Sequence, residues 1–117
     1  MKYSGKHYEP KVVVRLYDFT IWLLKRTNRF PKNWRVTLGD RIDNLVVNML
    51  VQANRASYRT KKSEILMCLS DNLDELKLLV RICHDLGCLK ANQYKYASKE
   101  MGDIGKQLGG WIKQQAK

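Results

Sequence analysis

Apolar residues recur along this chain at alternating steps of three and four, the spacing that gathers them on one side of an α-helix. The pattern begins at Lys11, where Val13, Leu16, Thr20 and Leu23 fall at i, i+3, i+7 and i+10, with Tyr17 and Leu24 widening the stripe. It should fade near Asn28, because Pro31 biases Phe30 away from helical dihedrals. Thr37 followed by Asp40 has the spacing of a capping box and predicts the next helix start, with Trp34 or Val36 packing just outside it. A start at Pro31 is the alternative, since proline suits a first turn.

The second helix carries Leu38, Ile42, Leu45, Met49, Gln52 and Ala56, the seam of a bundle or coiled coil, and ends in the polar link Ser57 to Lys62. The third runs from Ser63 with Leu66, Leu69, Leu73, Leu76, Val80 and Cys83, and Gly87 stands where a left-handed C-cap is expected. The fourth starts near Asn92 and carries Tyr94, Ala97, Met101, Ile104, Leu108 and Trp111. Four amphipathic segments with short links predict an all-α fold, an antiparallel up-and-down four-helix bundle over residues 11–117 behind a loose arm over residues 1–10. Val46, Val47, Leu50 and Val51 on helix two, and Ile65, Leu79, Ile82 and Leu86 on helix three, exceed the single stripe that a bundle core needs. The excess predicts a second buried face, hence self-association; a thick monomeric core is the other reading.

Composition narrows the function. The 117 residues make one domain with a globular balance, 44% hydrophobic, and only Pro10 and Pro31 as prolines. No apolar run approaches the ~20 residues of a membrane span, and Met1 to His7 do not look like a signal peptide, so a cytoplasmic protein is expected. Cys68, Cys83 and Cys88 are odd in number, and the first two lie in apolar helical stretches, which argues against a disulfide framework. Cys83, His84 and Cys88 lack a second cluster to complete a zinc site. No cofactor fingerprint occurs, no catalytic triad can be read from His7 and His84, and Asp71, Asp74 and Glu75 read as a solvated face rather than an acid–base pair. An enzyme is not expected.

Charge changes the picture most. Twenty-two Lys and Arg oppose eleven Asp and Glu, a net +11, concentrated in residues 1–35, 36–61 and 88–117 and absent from residues 62–87. A surplus of this size attracts polyanions. Lys95, Lys99, Lys106, Lys113 and Lys117 make one stripe on helix four, read as running beside the apolar seam. Lys77 and Arg81 lie four apart on the otherwise acidic third helix; contact with a ligand and snorkelling over an apolar edge are equally good readings. Arg55, Arg59, Lys61 and Lys62 cluster near the second link, and Arg15, Lys25, Arg26 and Arg29 on helix one. Without a helix-turn-helix or zinc-finger pattern, such clusters fit sequence-independent contact with RNA or DNA phosphates. Gly105 and Gly109, four apart, would let another helix come close beside Trp111; otherwise Gly109-Gly110 breaks the helix.

Phe30-Pro31-Lys32, Leu38-Gly39-Asp40-Arg41-Ile42 and the ending Ile104-Gly105-Lys106-Gln107-Leu108-Gly109-Gly110-Trp111-Ile112 resemble the bacterial four-helix-bundle protein family, over about Leu16 to Gln115. One branch, encoded in intervening sequences of large-subunit ribosomal RNA genes, usually carries an Asn-Ile-Ala-Glu-Gly-like stretch where this chain reads Val51-Gln52-Ala53-Asn54-Arg55-Ala56. The chain is more similar to the other branch, the accessory variability determinant (Avd) of diversity-generating retroelements. That resemblance implies a homopentameric barrel of four-helix protomers that binds a reverse transcriptase together with RNA and DNA and supports adenine-mutagenic copying, with no catalysis of its own. It also implies that Lys77 and Arg81 match the family's paired basic residues on helix three, with Lys77 standing where arginine would be expected. An intervening-sequence protein, or an adaptor whose charge only keeps it soluble, are the rival expectations.

Overall fold

The computed structural model describes residues 10–116; the expected arm, apart from Pro10, and Lys117 at the end of the lysine stripe lie outside the described residues. Those residues form four helices and no strand. Helix α1 is Lys11–Thr27. Helix α2 opens with Lys32–Trp34, widens into a π turn over Arg35–Gly39 and continues as Asp40–Ser57. Helix α3 is Ser63–Asp85 and α4 is Ala91–Gln115. Each helix packs on its neighbours in sequence, and α1 also packs on α4, closing the ring. Paired residues run in opposite directions: Thr27 reaches Asp43, Arg41 reaches Glu75, and His84 stacks on Tyr94. None of the helices is long and apolar enough to cross a membrane.

The predicted seams form the core, with two adjustments. Val13, Leu16, Thr20 and Leu23 are buried as expected, but Phe19, wholly buried, joins them, and Thr20 is kept satisfied by donating its hydroxyl to the Leu16 carbonyl at 2.7 Å. On α2 the inward face is Ile42, Val46, Met49, Ala53 and Ala56, while Leu45 and Gln52 slide to its edge. Val46 and Leu79, counted from sequence as surplus, therefore belong to the protomer's own core, because four helices in a ring bury a wider arc of each than one stripe. Val47, Val51, Ile82 and Leu86 remain exposed, at 41, 45, 36 and 44%.

The capping-box start at Thr37 is overturned, and the alternative start at Pro31 holds to within a residue. The helix is already under way at Lys32, with Pro31 before it, and the Thr37 hydroxyl donates inside the helix to the Asn33 carbonyl at 3.0 Å. Val36 stays exposed, and Leu38 packs against the core. Phe30 is buried beneath the turn, where a Cβ at Gly39 would stand in ordinary contact, 3.7 Å from the Phe30 ring. The end of α3 is as predicted: Gly87 has φ +82°, the Cys88 N–H donates to the Cys83 carbonyl and the Gly87 N–H to the His84 carbonyl. On the far side of the same link Lys90 donates its backbone N–H to the Gln93 side chain at 2.9 Å, and α4 begins at Ala91, one residue before Asn92.

The first link is clasped by the Thr27 hydroxyl donating to the Asp43 carboxylate at 2.5 Å. Burial lifts the Asp43 pKa above 3.8, partly offset by that hydrogen bond and reinforced by Asp40. A carboxyl whose folded pKa is raised adds stability below its unfolded pKa and loses it as pH rises through the folded value. Asp43→Asn keeps the acceptor without the charge. The stability difference, variant minus parent, should therefore grow as pH climbs above about 4, measured by urea unfolding across the acid range; a flat difference would show that Asp43 titrates normally.

Candidate nucleic-acid interface

Lys77 and Arg81 sit on the flank of α3 that turns toward α4. They line a shallow groove of about 340 Å³ together with Tyr94, Ser98 and Gly102 of α4. Both side chains are exposed, and neither pairs with a carboxylate among the described residues. Of the acidic groups of α3, Glu75 accepts from Arg41 at 3.2 Å on the α2 side. Leu78, beside Lys77, is 59% exposed, so the pair is not simply covering an apolar edge. Tyr94, in the groove wall, is braced by His84 stacked 4.3 Å away.

Gly105 lies where α4 packs on α3: a Cβ there would touch Leu73 at 3.4 Å and the Lys77 Nζ at 3.8 Å, so a larger side chain would crowd both. Gly109 faces open space within the protomer, as do Gly102 and Gly110. The two glycines thus play different parts. The helix nevertheless passes through Gly109-Gly110 without a break, and Trp111 is buried at 8% exposure.

The lysine stripe of α4 is displaced from its expected position beside the seam. Lys95, Lys99, Lys106 and Lys113 are all exposed on the solvent side, away from the apolar seam, because steps of four and seven return to the same outward angle. Lys99 is partly spent: it donates to Asp103 at 3.0 Å. The same carboxylate accepts from Arg15 at 2.8 Å, and Glu100 stands 3.7 Å from Arg15. Asp103 is held below the usual carboxylate range, chiefly by the hydrogen bond from Lys99, against which desolvation works and to which the Arg15 and Lys99 charges add. Arg15 is therefore a link between helices before it is a free cation.

Arg55 and Arg59 are exposed at the end of α2, and Arg59, Lys61 and Lys62 line a groove of about 580 Å³ at the link to α3. Lys62 reaches back over the Trp111 ring, 5.2 Å from its centre, and Lys113 belongs to the same end of the bundle. At the opposite end Arg26 lies 5.2 Å over Trp22. Trp22 and Tyr96, whose rings meet at 4.8 Å across the α1–α4 seam, were not singled out by the sequence pattern; the signal available was Trp22 four residues before Arg26. Among the described residues no three metal-ligating side chains gather. Cys83 is wholly buried, and burial, with Cys88 adding to it, pushes its thiol up to about 12.

The arrangement is one of cations on helices beside open grooves. A family model described as bAvd-like matches residues 12–115. No curated protein matches the chain.

The two glycines separate experimentally. Gly105→Leu should destabilise the protein by about 1–3 kcal/mol through crowding of Leu73 and Lys77. Gly109→Ala should stabilise the protomer by about 0.5–1 kcal/mol through helix propensity, unless a second copy lies against that face. Thermal unfolding reads both, and equal melting of parent and Gly105→Leu would remove the packing role of Gly105.

Proposed function

The chain belongs to the bAvd-like family, and from that premise we propose that it is a non-catalytic accessory protein of a diversity-generating retroelement. In this reading it binds the reverse transcriptase together with template RNA and DNA and supports mutagenic copying. The observation that carries the nucleic-acid part is the pair Lys77 and Arg81, four residues apart and without carboxylate partners among the described residues, on a groove between two helices. Arginine offers a planar fork to phosphate and lysine a point charge, and neither needs a particular base. Arg55, Arg59, Lys62, Lys95, Lys106 and Lys113 extend the basic surface, with Lys99, Arg15 and Arg26 contributing to the long-range field.

Self-association into a homopentameric barrel is part of the same reading. Its support is the apolar surface left over after the core is built: Val47 and Val51 on α2, Met67, Leu78, Ile82 and Leu86 on α3. Symmetry would repeat the Lys77 and Arg81 pair in every protomer. Light scattering should give five times the protomer mass, and a monomer at micromolar concentration contradicts the barrel.

Lys77→Ala/Arg81→Ala should weaken RNA and DNA binding alike, with helicity and assembly mass unchanged. It should also flatten the dependence of affinity on salt, by about 0.7–0.9 in the log–log slope for each phosphate that is no longer neutralised. Titrations at several salt concentrations measure the slope for parent and variant. An unchanged slope moves the interface to the α4 lysines. A parent with no salt-dependent binding leaves a protein-interaction adaptor in its place.

A further inference from the structure

The end of the bundle where α1 stops and α4 begins carries an aromatic and basic patch that the Lys77 groove does not reach. Trp22 is stacked on the buried Phe19 at 5.9 Å between ring centres, inclined by 14°, which fixes it from below. Tyr96 leans on Trp22 at 4.8 Å and is itself 42% exposed, so a ring held firmly from one side is still open to solvent. Arg26 adds a guanidinium 5.2 Å from the Trp22 ring centre. The Arg26 Nε is shielded from solvent and has no hydrogen-bond partner. Lys95, Lys25 and Arg29 are exposed on the neighbouring turns and pair with no carboxylate among the described residues.

A rigid ring with unneutralised cations around it matches one kind of ligand well. Unpaired nucleotides present both a flat π-face and a phosphate, and proteins that hold single strands combine stacking rings with cations along the backbone path. A duplex hides its base faces and would gain only from the cations. We infer that Tyr96, braced by Trp22, is a stacking platform for an unpaired base of single-stranded RNA or DNA, whose phosphates run past Lys95, Lys25 and Arg29. On the other side of Tyr96 a groove of about 450 Å³ is lined by Asp18 and Glu100 as well as Lys11 and Arg15. Its carboxylates repel phosphate, which directs the backbone to the Lys25 and Lys95 side and leaves the groove to the uncharged base.

This inference rests on the nucleic-acid reading but not on Lys77 and Arg81, so the two can fail separately. Tyr96→Leu keeps an apolar side chain at a half-exposed position and removes the π-face; Tyr96→Phe keeps the face. Fluorescence anisotropy with labelled oligothymidylate, oligouridylate and a duplex of matched length gives affinities for the full-length protein. Tyr96→Leu should bind both single strands at least about fivefold more weakly, the low end of one base stack converted to a ratio, while duplex affinity is unchanged and Tyr96→Phe behaves as the parent. Single-strand affinity that survives in Tyr96→Leu, or a loss shared equally by the duplex or by Tyr96→Phe, overturns the platform. Photocrosslinking of bromodeoxyuridine oligonucleotides to the unmodified protein gives a readout that needs no variant. Adducts on the peptide containing Tyr96 or Trp22 support the platform; adducts confined to other peptides overturn it. A parent that binds no nucleic acid at all overturns this inference and the phosphate reading together, whereas a changed salt slope in Lys77→Ala/Arg81→Ala beside an unaffected Tyr96→Leu overturns this inference alone.

Discussion

Closure of α1 against α4 is the constraint on which the rest of the molecule depends. The other three helix pairs are hairpins whose short links bring them together; this one joins segments as far apart as Arg15 and Asp103, 88 residues along the chain. The length-dependent part of closing such a loop costs about 4 kcal/mol. The Arg15 to Asp103 ion pair reaches solvent, which screens it, and cannot meet that cost. Burial of Val12, Leu16, Phe19, Ile104 and Leu108 supplies the rest, since each such side chain is worth about 1.5–3 kcal/mol. Apolar burial therefore closes the ring, and the Arg15 to Asp103 pair sets its register. The same closure brings Tyr96 onto Trp22, so the aromatic patch is a consequence of the step that completes the fold.

Charge arithmetic then decides what the closed ring can present. With eleven carboxylates for twenty-two lysines and arginines, pairing cannot be complete. The carboxylates are not spread evenly among the cations. Asp103 serves both Arg15 and Lys99, and Glu75 serves Arg41 on the α2–α3 side. Asp43 is turned to Thr27, and its charge is discouraged by burial. Among the described residues no carboxylate pairs with Lys77 or Arg81 on α3, with Lys95, Lys106 or Lys113 on α4, or with Lys25, Arg29, Arg55 and Arg59 at the two ends. A net field of this sign persists whatever partner the protein meets.

Helix existence, seam residues on α1, α3 and α4, and the Gly87 cap were legible in the sequence because periodicity and cap chemistry are local. The failures have a common origin in what is not local. Thr37 and Asp40 have the right spacing for a cap, but Pro31 starts the helix first and Phe30 fills the space beneath the π turn, a tertiary choice. Val46 and Leu79 looked like surplus because one stripe was assumed to be enough, whereas closure of the ring widened the buried arc. Gly105 and Gly109 are indistinguishable by spacing, yet only Gly105 faces α3. Among the cations, exposure and the i,i+4 pair of Lys99 with Asp103 are local, but pairing between helices is not: nothing in the sequence around Arg15 points to residues 100 and 103. Tyr96 and Trp22, 74 positions apart by their numbering, had no shared pattern to reveal them.

Position along the bundle explains why the basic residues should act together rather than singly. Lys62 and Lys113 lie at one end, near Trp111; Arg26 and Lys95 lie at the other, near Trp22; Lys77 and Arg81 lie between them on the α3–α4 groove. The molecule is 44 Å along its longest axis, several times the screening length of about 8 Å at physiological salt. Distant clusters on such a body do not share one local potential. If the proposed phosphate contacts form, each cluster would hold a different stretch of backbone, and the total affinity would follow from how many stretches one strand reaches at once. Helices hold these clusters at fixed separations, because the links are short and each helix is pinned on two neighbours. On the proposed reading, a bundle of this kind would select among polyanions by length and path, properties that long nucleic-acid strands have and small anions lack.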